Sequence, residues 1–586
     1  MPAVKNARVA EFLENIADML EIKGESTFRI RAYRDAARAI ESLEEDIEDI
    51  EKRGALTDIP GVGESIAAKV TEYIETGGST YYEELKKQVK PGLAELLEVP
   101  GIGPKKARLF FEQFGIDSVD KLERAAKRHR LSTIPKIGGK TESNIVAAIE
   151  RMRARSERTP LGMALPAALE FLEMVQRFRE VERADLAGSL GRMRDTIGDL
   201  DLLAASDHPK DVIDRFVELP DAKSVLGHGP TKGTIVTEDN LQVDLRVVKP
   251  DEYGAALQYF TGSKAHNIKL RTLAEAKGLK LNEYGVFRVS DDKRIAGETE
   301  ESVYETVGLE WIPPEIREDR GEIEAAREGR LPDLIQLSDL KGDLHVHTDW
   351  SDGADPPEEM VRAAKARGYE YVVLSDHSVS MGFVHGLTPE RIKEQRVLID
   401  ELNRRYRGIR VLHGIEVNIR ADGSLDYDDE ILERFDVVTA SVHSGMGMAG
   451  DRMTARIIKA ISNPHVDILG HPTGRIIGRR DPYEVDMDAV LTAAARTGTA
   501  MEVNSQPDRL DLKDTDARRA REHGVMLAID SDAHSAGQLG IINYGIATAR
   551  RGWIRPKDVL NALPEEELLR WLRKEKVTAK ARRKAA

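Results

Sequence analysis

Cysteine is missing from all 586 residues. That rules out disulfides and thiolate ligands, so any metal ion must be held by His, Asp and Glu. Long apolar runs are missing too: none approaches the roughly 20 residues that span a bilayer, and no membrane partner is expected. The opening stretch MPAVKNARVAEFLENIADML is amphipathic and carries acids, unlike a secretory signal. A cytoplasmic address and a monomeric chain are the simplest expectations. A surplus of positive charge is also lacking, because the formal net charge is −15. This does not exclude a nucleic-acid partner, since phosphate binding follows local patches. Acids that serve as metal ligands count as negative until their ions arrive.

What is present points to several domains, because 586 residues exceed what one core supports. Residues 1 to about 150 read as helical, with Val9, Phe12, Leu13, Ile16, Met19 and Leu20 at helical spacing. Next comes a mixed region, with a helix expected around Ala164–Phe178 and short alternating strands after it. The stretch Pro313–Leu340 is charged and poor in aromatics, and reads as a linker with a helix in it. From about residue 341, strand-like runs (YVVLS, VLHGIEV, DVVTASV, DILGH, MEVN, MLAIDSD) alternate with helical stretches, the rhythm of a parallel barrel.

Three segments of the helical region share one pattern. LTDIPGVGESIAAKV carries Gly61 and Gly63, LLEVPGIGPKKARLF carries Gly101 and Gly103, and TIPKIGGKTESNI places Gly138 and Gly139 similarly. Glycine lets a turn approach a phosphate, and the N–H groups of the following helix bind it without reading sequence. A single copy would fit a helix–helix turn equally well; repetition favours DNA. These segments resemble helix-hairpin-helix motifs. FRIRAYRDAAR gathers Arg29, Arg31, Arg34 and Arg38 near Tyr33, either to grip a 5′-phosphate or as a solvated basic face.

In AGSLGRMRDTIGDLDLL, Asp199 and Asp201 are two apart on an expected strand, so both carboxylates share one face. LQVDLRVV adds Asp244 from a second strand. Three converging carboxylates would hold two Mg²⁺ or Mn²⁺ ions. The Gly188–Ser189 turn and Arg192 suit a phosphate cradle.

This constellation resembles the palm of the family X, or beta-type, DNA polymerases. DEYGAALQYFTGSKAHNIKLR is similar to their nucleotide-binding segment. The resemblance implies a sugar-side wall of Tyr259, Phe260 and Gly262. It implies a base contact at Asn267, a template contact at Arg271, and a Schiff-base lyase lysine at Lys69. Ser65 stands where vertebrate members carry a phosphate-binding lysine, and an arginine near the triphosphate looks replaced around Leu161–Gly162.

Ten of the fourteen histidines lie between His345 and His534. His345, His347, Asp352, His377, Glu416, His443, His471, Asp532 and His534 sit at or just beyond the ends of strand-like runs, where a parallel barrel collects its catalytic groups. Imidazole with carboxylate suits Mn²⁺, Zn²⁺ or Fe²⁺. His385, His413, His465 and His523 have no matching place. The pattern resembles the PHP domain, a distorted (β/α)₇ barrel, and implies up to three metals that activate hydroxide against a phosphate ester. Arg475 is a candidate phosphate contact.

The resemblance to the bacterial and archaeal form of family X spans nearly the whole chain. It implies a multidomain α+β then α/β architecture. Residues 1–80 and 81–150 would be helical DNA-binding and fingers-like domains, 151–250 the palm, 251–318 a small α/β thumb and 319–338 the linker. Residues 339–575 would be the PHP barrel and 576–586 a basic tail. The implied work is gap filling in base excision repair, on gapped or nicked duplex with deoxynucleoside triphosphates. A 3′–5′ exonuclease, apurinic-site endonuclease or 3′-end-processing activity would accompany it. The alternatives are a small-molecule phosphatase in the barrel, an inactive polymerase half that delivers the nuclease, or a chain that is chiefly a repair scaffold.

Overall fold

A computed structural model describes residues 2–41, 47–76, 78–88, 102–134, 138–156, 158–379 and 385–573, with Leu93, Leu96 and Val99 between them. Gly101 and the basic tail 576–586 lie outside the described residues. Two compact units result. One is residues 1–157 with the short segments 350–352 and 377–388; the other is the rest of the chain. No described helix is long and apolar enough to cross a membrane.

The first unit is helical. Helices α1 (Pro2–Lys23) and α2 (Thr27–Glu41) pack together, and Val9, Phe12, Leu13, Ile16 and Leu20 are buried on the face that periodicity marks. Helices α3 (Glu64–Thr76), α4 (Thr80–Gln88), α5 (Pro104–Phe114), α6 (Val119–Lys127) and α7 (Gly139–Ser156) follow. The three glycine turns share a hydrogen-bond pattern. Gly63 O accepts from Ile66 and Ala67, Gly103 O from Lys106 and Ala107, and Gly138 O from Thr141 and Glu142. Gly61 has φ +85°, in the left-handed region that side chains rarely adopt, so a substitution there would strain the turn.

The second unit begins with α8 (Leu161–Gln176) and a five-stranded sheet. Its strands are β1 (Arg183–Leu186), β2 (Leu200–Ala205), β3 (Ala222–His228), β4 (Lys232–Thr237) and β5 (Gln242–Val248), in the order β1-β2-β5-β4-β3. Helices α9 (Tyr253–Thr261) and α10 (Lys264–Ala276) lead to a small antiparallel sheet of β6 (Leu279–Asn282), β7 (Gly285–Arg288) and β8 (Arg294–Ala296). Seven parallel strands then follow in chain order. They are β9 (Gly342–Val346), β10 (Tyr371–Leu374), β11 (Arg410–Asn418), β12 (Val437–Ser441), β13 (Ile468–Leu469), β14 (Ala500–Asn504) and β15 (Leu527–Asp530). A parallel bridge between Val346 and Ala533 brings the first and last strands together, so the barrel is nearly closed. Each run read as a strand in the sequence supplies one of these staves.

The charged stretch 319–338 departs from the linker expectation. Its helix α11 (Glu322–Arg327) buries Ile323, Ala325 and Ala326, and with Leu334 they join the hydrophobic cluster of the thumb. Glu322 is fully buried. Its carboxylate takes the ring Nδ1 of His266 at 2.7 Å and the backbone N–H groups of Asp319 and Arg320 at 2.9 and 2.7 Å. One of the acids that made this stretch look like a tether is thus satisfied internally. Replacing Glu322 with Ala leaves those donors unpaired, at about 2 kcal/mol of local stability. Amide hydrogen exchange at Asp319 and Arg320 should then quicken more than tenfold; unchanged exchange would mean that the stretch is a loose tether after all.

Candidate active sites: an aspartate trio and a histidine basin

Asp201 and Asp244 are direct partners on the parallel strands β2 and β5, so their side chains leave the sheet on the same face. Asp199 stands just before β2. One oxygen from each of the three lies within 4.8 Å of the others. Burial, aided by the charges of Asp199 and Asp244, pushes the Asp201 carboxyl up to about 7. Gly188 has φ +61°, and a Cβ there would collide with the Asp201 carboxylate, so the Gly188–Ser189 turn rests directly on the trio. Crowded carboxylates beside a glycine turn fit divalent cations and a phosphate chain.

Three cations near the trio escaped the sequence reading. Lys232 Nζ sits 2.6 Å from Asp244 Oδ2. Arg246 lies over the Phe260 ring at 4.3 Å from its centroid and acts on Asp201. Arg158 donates to the Oγ1 of Thr196 at 3.0 Å and to its carbonyl, within the field of Asp199. Their signal was faint: Lys232 is joined to Asp244 by the sheet register and not by sequence distance. Gly162, where an arginine looked lost, packs against Pro507 of the barrel, and any Cβ there would collide with the proline ring.

Arg192 differs from expectation. It is 8% exposed, and its Nη1 donates to the carbonyls of Gly188 and Thr261 while its Nε donates to Glu318 at 3.0 Å. It staples the turn to the end of α9, with Nε and Nη1 both donating to protein acceptors. Tyr259 and Phe260 meet edge to face at 5.1 Å, half-buried, and Gly262 follows at φ +72°. Asn267 is engaged within this wall, donating to Tyr259 O at 2.7 Å and accepting from Gln258 at 2.7 Å. Arg271 lies one turn on, half-buried.

In the helical unit, Tyr33 is a core residue, and Arg34 is held by Asp18 at 3.0 Å and Glu21 at 2.7 Å. Tyr33 therefore serves the helical core, and Arg34, partly exposed, is already paired with two carboxylates. Arg29 is exposed and donates to the Tyr81 hydroxyl at 2.8 Å. Lys69 donates to Ser65 O at 2.7 Å and Ser65 Oγ at 3.0 Å, and burial and then Arg29 lower its pKa.

In the barrel, His345 on β9 and His347 just beyond its end bring their Nε2 atoms to 3.1 Å. His347 Nε2 is 3.1 Å from Asp532 Oδ1. Glu416, on β11, lies 3.1 Å from His471 Nε2, 3.2 Å from His443 Nε2 and 3.4 Å from His345 Nε2. The His534 ring stacks on His347 with centroids 4.3 Å apart. Asp352 and His377 lie on the segments grouped with the helical unit, where they pair with each other at 3.5 Å. Burial works to discharge His345, but Glu502, Glu416 and Asp532 together hold its pKa well above the usual value. Burial, with Arg509 nearby, lowers His471 to about 4 and keeps it neutral; its Nδ1 is buried without a hydrogen bond. Convergent imidazoles and carboxylates of this kind fit first-row transition cations.

Glu502 was also missed, although it lies in MEVN, which reads as a strand. It is fully buried and takes His345 Nδ1 at 2.7 Å, which turns Nε2 into the basin. Arg475 is no phosphate contact: it donates to the carbonyls of Arg509 and Leu510 and pairs with Asp195 at 3.1 Å. His413 is buried against Gln395 at 2.9 Å.

Family models match four stretches: a helix-hairpin-helix domain over residues 4–79, a SAM-like helix-hairpin-helix tandem over 93–151, a DNA polymerase beta thumb over 256–318 and a PHP domain over 343–506. The DNA polymerase/3′–5′ exonuclease PolX of Bacillus subtilis (strain 168) is 39% identical over 556 residues, 94% of this chain and 97% of that protein. A probable phosphatase of Thermoanaerobacter sp. (strain X514) is 33% identical over 37% of this chain and 89% of its own length. A probable phosphatase of Shewanella sediminis is 30% identical over 38% of this chain and 90% of its own.

Two outcomes follow from the electrostatics. Below about pH 7 Asp201 carries a proton, which an incoming cation must displace. In a variant without His345 and His347, Mn²⁺ affinity should fall about tenfold from pH 7.5 to pH 6, read by calorimetry; a flat profile would contradict the crowding of the trio. Glu502→Ala should weaken metal binding in the barrel by about tenfold or more while primer extension is unchanged, read by elemental analysis and gel assay.

Proposed function

The chain belongs to the family X DNA polymerases that carry a C-terminal PHP domain, and on that premise we propose that it fills short gaps in damaged duplex DNA. It is a DNA polymerase and 3′–5′ exonuclease, it uses divalent metal ions, and it binds DNA and nucleotides. The finer reading is gap filling in base excision repair on gapped or nicked duplex. Mg²⁺ or Mn²⁺ would serve the palm, and Mn²⁺ first among the candidates the barrel. Trimming of damaged 3′ ends and cutting at apurinic sites belong to the same proposal, as do a monomeric state and a cytoplasmic address.

The observation that carries the polymerase reading is the trio Asp199, Asp201 and Asp244, with its oxygens within 4.8 Å of one another under the Gly188 turn. Cations bound there would acidify a primer 3′-hydroxyl and offset triphosphate charge. The chain's own groups do the rest. The trio fixes where the ions sit, Arg158 and the turn amides offer charge and donors to phosphates, and Tyr259, Phe260 and Gly262 wall the sugar side. Lys232 offsets Asp244 when no ion is bound. The three repeated glycine turns support backbone grip on either side of a gap, indifferent to sequence.

The exonuclease reading rests on the basin around His345, His347, Glu416 and Asp532. Cations bound there would supply a nucleophile and neutralise charge on a phosphodiester. Glu502 orients His345, and neutral His471 offers a lone pair to an ion. A second reading, hydrolysis of phosphomonoesters, is favoured by the two probable phosphatases that cover the barrel. Comparing release from a 3′-phosphate end with release of a 3′-nucleotide separates the two.

A gapped, 5′-labelled duplex reads both activities in one lane. Asp199→Ala with Asp201→Ala should abolish lengthening, at least 10³-fold, and leave shortening intact. His345→Ala with His347→Ala should do the reverse and lower the metal content of the barrel. Extension by the first variant would sink the palm assignment; trimming by the second would sink the basin.

A further inference from the structure

The barrel reaches into the nucleotide cradle of the palm through one side chain. Arg551 ends helix α12 (Ile542–Arg551) and is 6% exposed. Its Nη1 donates to the carbonyl of Arg192 at 2.7 Å. Its Nη2 lies 3.2 Å from Glu318 Oε1 and 3.0 Å from Asp514 Oδ2. The same Glu318 oxygen accepts Arg192 Nε at 3.0 Å, and its other oxygen lies 3.6 Å from Arg194. Arg192 in turn ties Gly188 O, in the turn over the trio, to Thr261 O, at the end of the helix that carries Tyr259 and Phe260.

We propose that Arg551 is a positioning residue for the incoming nucleotide: the nuclease barrel fixes the Arg192–Glu318 pair and so holds the polymerase's phosphate turn and sugar wall in register. The geometry is over-determined for an ordinary surface ion pair. One guanidinium satisfies a buried backbone carbonyl and two carboxylates at once, and a planar fork with fixed donors can do this where an ammonium cannot. Both Arg192 ends are fixed by it, the carbonyl directly and the side chain through Glu318. Without Arg551, Glu318 still has Arg192 and Arg194, and Asp514 still has Arg320 at 2.9 Å. Charge balance is therefore kept and the fold should survive. What is lost is the constraint: Glu318 becomes free to shift toward Arg194, and the staple between turn and wall loosens.

The inference rests on the reading of this turn and wall as the nucleotide site, and the test separates the two. Single-nucleotide gap filling is measured with Mg²⁺ over a range of deoxynucleotide concentration, with 3′ trimming of the same duplex as the internal control. Arg551→Met should raise KM for the nucleotide about tenfold with kcat changed less than twofold and trimming unchanged, the pattern of lost uniform binding. Arg551→Lys, which keeps the charge but loses the fork, should fall between. Arg192→Ala should raise KM at least as far. A normal KM in Arg551→Met alongside a raised one in Arg192→Ala overturns the inference and leaves the nucleotide site standing. A normal KM in both overturns the reading of the site and the inference with it. A parallel fall of trimming, kcat and melting temperature in Arg551→Met, with no selective rise in KM, assigns Arg551 to general stability and also overturns the proposal.

Discussion

Like charge held close together is the constraint on which the rest depends. Three carboxylates within 4.8 Å of each other repel. The protein itself offers Lys232, Arg246 and Arg158 as partial relief, and the remaining imbalance appears as a carboxyl at Asp201 raised to about 7. The barrel has the same problem in another form. Glu416 and Asp532 face His345, His347, His443 and His471, and burial discharges one imidazole while neighbouring carboxylates charge another. Neither arrangement is an efficient way to stabilise a fold, since buried ions cost more in desolvation than they usually return. Both would become favourable with cations bound, and this asymmetry is what marks the two clusters as candidate centres.

The negative overall charge fits the same picture. A chain at −15 binds a polyanion by confining its attraction to small regions. The repeated Gly63, Gly103 and Gly138 acceptors show one local geometry used three times, and backbone N–H groups at such turns attract phosphate without adding net charge. Some of the acids are engaged elsewhere, in the two carboxylate and imidazole clusters and in internal joints such as Glu322 and Glu318. Arg34 illustrates the cost of reading charge from sequence alone: its guanidinium is matched by Asp18, Glu21 and Glu14.

The elements that were legible in the sequence are those fixed by short-range rules. Alternation and strand-end position located the seven staves and the imidazoles at or just beyond their ends, because a parallel barrel collects its functional groups at one end. The two-residue spacing of Asp199 and Asp201 gave their common face. What stayed hidden was whatever depended on register or on long-range pairing. Lys232 meets Asp244 through a cross-strand diagonal, Arg192 is consumed by Glu318 126 residues away, and Glu502 reads as any acid in a strand until His345 is seen beside it. The stretch 319–338 misled for a related reason: charge and a scarcity of aromatics describe a tether equally well whether or not each acid has a buried partner.

The joint between palm and barrel carries the functional consequence. Leu510 of the barrel belongs to the hydrophobic cluster of the palm, with Ile477 and Tyr544 packed against it. Gly162 of α8 accepts Pro507 at a distance that no side chain would allow. Arg475 pairs with Asp195, which follows the Gly188–Ser189 turn by six residues. A shared apolar core with buried forks across it is stiffer than the polar, mobile contact expected of neighbouring domains. The barrel therefore forms part of the floor on which the polymerase is built, and a substitution in a barrel loop is felt in the palm as a change in packing. Two chemistries on one chain need not be coupled in time to be coupled in structure; here the residue that closes α12 is also a brace for the turn above Asp201.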